Sequence, residues 1–88
     1  MRIDLALKYL CLTKSRSSIK TLCAKKAIQV NGRHAKPSST VHANDDVTLE
    51  FPSRKLTIRL LDIPEKQLSK ATAPTYYEVV ADELLDDD

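Results

Sequence analysis

Glycine occurs once in this sequence, at Gly32, and that scarcity excludes the glycine-rich loops that cradle nucleotide phosphates. Tryptophan is missing and there is one phenylalanine, so little is available for stacking on single-stranded bases. No run of 18 apolar residues exists that could cross a membrane. The N-terminal stretch is interrupted by Asp4 and Lys8 and lacks a small-residue cleavage site, which argues against a signal peptide. Cys11 and Cys23 are the only cysteines, and His34 and His42 the only histidines. Their spacings match no zinc pattern, so no metal or other cofactor is expected. Both cysteines fall on apolar helical stripes. This predicts buried, reduced thiols and a cytoplasmic setting.

Catalysis is equally poorly supported. The serines have no nucleophile-elbow or S-x-x-K context. The C-terminal carboxylates lie in a segment too polar to be held as a general acid and base. At 88 residues the chain is one small domain with a modest core. No enzymatic activity is expected.

What is present is charge, unevenly placed. Residues 1–60 carry 12 Lys and Arg against 4 Asp and Glu, whereas residues 61–88 carry 2 against 8. A basic body suits a polyanion, and an acidic tail does not.

Periodicity places this charge on elements. Ile3, Leu7, Leu10 and Cys11 repeat at helical spacing over 3–11, and a second helix is predicted over about 16–26, with Thr13 or Ser15 as its N-cap. Ile19, Leu22 and Cys23 form the buried stripe of that helix. Ile28 and Val30 then alternate, and Asn31-Gly32 is a hairpin signal, because a type I′ turn needs positive φ at both positions. Arg33 to Lys36 forms the return strand. Two half-buried antiparallel strands follow, one through Val47, Leu49 and Phe51 and one through Leu56, Ile58 and Leu60. Residues 65–74 read as a loop or a frayed helical turn, and Tyr76, Tyr77, Val79 and Val80 as an apolar patch folding back on the body. The domain plan is 1–63 for the binding body, 64–81 for an extension that packs on it, and 82–88 for a disordered acidic tail.

The start of the second helix gathers Lys14, Ser15, Arg16, Ser17 and Lys20 around free backbone N–H groups and the positive end of a dipole. Arg33 and Lys36 sit on the following hairpin, where Gly32 would let the backbone approach a partner closely. If that helix packs on the hairpin, these groups share one surface suited to phosphate.

The same residues carry a family pattern. Arg2-Ile3-Asp4, Ser15-Arg16, Leu22, Ile28-Gln29-Val30-Asn31-Gly32, Lys36-Pro37-Ser38 and Val41 to Val47 resemble the RNA-binding domain named after small-subunit ribosomal protein S-four, the alpha-L motif. The resemblance spans about residues 2–51. It implies an α+β fold, two N-terminal helices packed on a small antiparallel sheet. It adds Arg2, Asn31 and Ser38 to the RNA-binding candidates. Where the family carries glycine at the end of the second helix and before the turn aspartate, this chain has Lys26 and Asn44. Lys26 is therefore predicted to take positive φ at a cost of about 1 kcal/mol.

Most chains with this domain carry it beside an enzyme, for which there is no room here. The stand-alone version, with an extra C-terminal strand, resembles a short ribosome-associated group with a heat-shock branch and a quality-control branch. The stretch KLTIRLLDI…YYEVVADE is closer to the second. The resemblance implies binding of large-subunit rRNA, with tRNA as a second RNA, on obstructed large ribosomal subunits, no membrane association, and a monomer off the ribosome. The competing readings are a protein–protein adaptor using the acidic tail and an RNA-binding factor in ribosome assembly.

Overall fold

The computed structural model describes residues 1–13 and 16–84, and of Arg16 the backbone alone. Helices α1 (Ile3–Tyr9) and α2 (Arg16–Ala24) come first. Strands β1 (Ile28–Val30), β2 (Arg33–His34), β3 (Asp46–Phe51), β4 (Arg54–Leu60) and β5 (Tyr77–Leu84) follow, with a 3-10 turn at Ala73–Tyr76 leading into the last. They form one antiparallel sheet in the order β2-β1-β3-β4-β5. This is the expected α+β class.

Strand alternation decides which face the helices cover. Ile28, Leu49 and Leu56 share one inward row, and Val30, Val47 and Ile58 the next. With Ile3, Leu7, Leu10, Ile19 and Val41 they make the core. The intervening row, Gln29, Thr48 and Thr57, lies on the uncovered face, where the two threonine hydroxyls stand 3.1 Å apart. This two-residue period is what makes one face apolar and the other polar.

Both helices end the same way, and earlier than periodicity predicts. After α1, the Cys11 N–H donates to Lys8 O and the Leu12 N–H to Leu7 O. After α2, the Lys26 N–H donates to Cys23 O and the Ala27 N–H to Leu22 O. Each is the paired bond set of a Schellman ending, with a left-handed residue after the helix cap. Those residues are Cys11 (φ 60°) and Lys26 (φ 57°). Lys26 thus adopts the conformation expected of it. Cys11 corrects the sequence reading: it lies past the helix end, so the stripe that would bury it stops at Leu10 and the thiol is exposed.

The hairpin forms as expected, with Asn31 (φ 52°) and Gly32 (φ 83°) both left-handed. Its second strand is shorter than predicted, ending at His34, although the Ala35 N–H still bonds Ile28 O. A Cβ on Gly32 would meet nothing within 4 Å, so its glycine is explained by the turn's φ rather than by crowding.

The C-terminal segment departs most from expectation. β5 runs through Asp82, Glu83 and Leu84, residues assigned above to a disordered tail. Asp82 is held because the Arg54 guanidinium donates to both of its carboxylate oxygens at 2.8 Å. A bulge between the Thr57–Ala81 and Ile58–Val79 pairs lets the strand keep pairing through Leu84. Residues 85–88 of the expected tail lie outside the described residues. Tyr76 and Tyr77 do pack on the body, whereas Val79 and Val80 are exposed.

Candidate nucleic-acid interface

The basic residues divide into two groups. On the sheet, Arg54 is paired with Asp82, and Arg59 donates to Asp46 at 2.9 Å and lies 3.6 Å from Glu78. Hydrogen bonding to Asp82 is the main cause that raises the pKa of Arg54, and bonding to Asp46 does the same for Arg59. The guanidinium correspondingly lowers the pKa of Asp82. The two sheet arginines are thus engaged by carboxylates of the sheet itself. On the helix and hairpin side, Lys20, Lys25, Lys26, Arg33 and Lys36 are all exposed and have no carboxylate partner among the described residues.

Local folding places these cations. Lys20 projects from α2, whose Ile19 is wholly buried. Ser17 is exposed in the first turn of α2, and its carbonyl accepts a bond from Thr21 Oγ1 at 3.2 Å. Arg33 lies opposite Val30 on the edge strand. Lys36 opens a turn closed by its own N–H to Ser39 Oγ, 2.8 Å, so Ser39 is the closing hydroxyl and Ser38 is left exposed. That turn also caps α1, since the Ile3 N–H donates to Ser39 O and the Asp4 N–H to Pro37 O. Arg2 stands beside it and donates to the nearly buried Asp4 carboxylate at 3.0 and 3.2 Å. The Cys23 thiol of α2 feels Asp4 as well: burial, and then the carboxylate, push its pKa up. So Arg2, Lys36, Ser38 and the C-terminal half of α2 are gathered around the N-terminus of α1.

Other candidates are placed differently. Asn31 is not free: its side chain accepts from the Asp46 N–H at 2.9 Å and donates to Asp45 at 3.2 Å. Asn31 and Gly32 therefore form a hairpin tip tied to acidic residues. Lys14, Ser15 and the Arg16 side chain lie outside the described residues. Sequence reasoning missed Lys8 and Lys70, which line a common cleft with Phe51. No local signal could pair them, because the loop carrying Lys70 reaches α1 through Gln67 and Leu68. Gln67 Nε2 donates to the Lys8 and Tyr9 carbonyls, and the Leu68 N–H to Tyr9 O. Among the described residues no group of His, Cys, Asp and Glu could hold a metal.

Comparison with known proteins agrees with this fold. The S4 domain family matches residues 1–47, the segment that carries both helices, the hairpin and the Lys36 turn. The chain belongs to the S4 domain family. It is 34% identical to the RQC P-site tRNA stabilizing factor of Halalkalibacterium halodurans, over 94% of this chain and 93% of that one. The Bacillus subtilis protein of the same name is 31% identical, over 97% and 98%. Among solved structures, the trimeric Vibrio cholerae Heat Shock Protein 15 superposes with a TM-score of 0.82 at 26% identity, covering 92% of this chain and 82% of that one. The solution structure of HP1423 does so with a TM-score of 0.79 at 30% identity, over 94% and 100%. This S4 domain chain therefore shares its α+β fold with these solved structures over more than nine-tenths of its length.

Proposed function

We propose that the chain is a non-catalytic RNA-binding protein that recognises structured ribosomal RNA on the large ribosomal subunit, with tRNA as its second RNA, in quality control of stalled translation. The observation that carries this is the sorting of charge. Carboxylates cancel the sheet-face arginines, while Lys20, Arg33 and Lys36 are left without acidic partners on the helix and hairpin side. Unpaired cations on rigid elements bind phosphate without first breaking an ion pair. Recognition is by shape, phosphate and 2′-OH, because an A-form helix hides its base edges in a deep groove. The curated relatives, named as factors stabilising a P-site tRNA, supply the ribosomal context and the tRNA. The protein acts in the cytoplasm and is a monomer off the ribosome.

Filter binding to structured RNA across a salt series tests the reading. With about four to six phosphates neutralised, log affinity falls with log salt at a slope of roughly −3 to −5. Replacing Lys20, Arg33 and Lys36 together by alanine weakens binding across RNA sequences and flattens the slope by about two to three. Arg54→Ala with Arg59→Ala leaves affinity within about twofold, since those charges are already engaged. Equal losses from both sets would mean that net charge, not this face, holds the RNA.

A further inference from the structure

A cleft of about 880 Å³ opens between the end of α1, the flank of α2 and the loop near residue 70. That volume is typical of small-ligand sites. Its floor is apolar: Leu12, Leu22 and Phe51 line it and pack against the core. Lys8 and Lys70, both exposed, also line it, and no carboxylate does among the described residues.

We infer that this cleft receives one unpaired nucleotide, extruded from the RNA held by the adjoining basic face. The inference rests on the RNA-binding reading and deepens it. Each feature matches one part of a nucleotide. A base has a flat apolar face for the Leu22 and Phe51 floor. Its flanking phosphates find Lys8 and Lys70. An apolar side chain of a protein partner would use the floor but leave the two lysines unanswered. α2 forms one wall of the cleft through Ser18, Thr21 and Leu22, while Lys20 falls on another side of the same helix. Fully paired RNA offers no base to fill the cleft, so the site distinguishes bulged from perfect helices, a selectivity that shape and phosphate alone do not provide.

Two RNA hairpins, one fully paired and one with a single bulged nucleotide, test this with the full-length protein. The bulged hairpin binds roughly tenfold tighter, the order expected for burying one base on an aromatic floor. Lys8→Ala with Lys70→Ala removes most of that preference while leaving the paired hairpin bound. Cys11, exposed at the cleft wall, supplies an independent readout. Saturating bulged RNA slows its alkylation by iodoacetamide, followed by peptide mass spectrometry to separate it from Cys23, and paired RNA does not. Equal affinities, or equal alkylation rates with the two RNAs, would overturn the assignment while leaving the basic face intact. Protection of Cys11 by a protein partner instead of RNA would also overturn it. If neither hairpin binds, the parent reading falls and this one with it.

Discussion

The Arg54 guanidinium and the Asp82 carboxylate meet in a two-pronged pair, both contacts 2.8 Å, across 28 residues of sequence. The pair lies at the outer end of the sheet and turns part of a nominally acidic tail into a strand.

This pair gives stability a pH signature. The guanidinium lowers the pKa of Asp82 below its ordinary value of 3.8. A depressed carboxylate pKa adds stability that is complete above the ordinary range, near pH 4, and lost as pH falls through the folded value. Asp82→Asn is therefore expected to unfold at slightly lower urea than the parent at pH 7. The gap should close below that range and shrink in high salt, because both groups are exposed. Urea melts across pH check this.

Truncation separates the strand from the acidic end. Removing residues 85–88 should leave the unfolding midpoint unchanged and RNA affinity equal or slightly higher at low salt, since those acids repel phosphate. Removing 82–88 should lower stability, because the pairings of Leu56 with Asp82 and Arg54 with Leu84 go with it. A large loss of RNA affinity from the shorter deletion would favour the adaptor alternative.

Lys26→Gly should stabilise the protein by about 1 kcal/mol, since Lys26 sits at φ 57° where glycine meets no Cβ penalty. Lys26→Ala keeps the penalty and should not. Thermal melts of the two variants distinguish relief of backbone strain from loss of charge.

Asn31→Ala should cost about 1–3 kcal/mol. It loses a residue tolerant of the left-handed conformation and the bonds that tie the hairpin tip to Asp45 and Asp46. Hydrogen exchange should rise first in β1 and β2. A fall in RNA affinity beyond the fall in stability would instead place Asn31 on the RNA.

Local signals explain most of what sequence could foresee. Val47, Leu49, Leu56 and Ile58 announce β3 and β4 through their period of two, and Asn31-Gly32 announces the hairpin, because each signal acts between near neighbours. Cys11 was misread because periodicity records which face is apolar and not where the helix stops. The capping of α1 by Gln67, and the Arg54–Asp82 pair, join positions 28 to 59 residues apart and have no local trace. The cationic candidates were legible as types. That Asn31 turns to Asp45 and Asp46, and that Lys8 and Lys70 line one cleft, depends on tertiary placement alone.

The S4 match ends at residue 47, two residues into β3. Severed there, β1 would keep its β3 partner at Val30 and lose those at Ile28 and Gln29, and Ile3, Leu7 and Ile19 would lose Leu49, Leu56, Ile58 and Leu60 from their core cluster. The border of the S4 match and the border of the folding unit thus fall at different points in this chain. A protein that borrows only the first half must lend it strands of its own, and the angle at which those strands join will decide how the basic face is aimed.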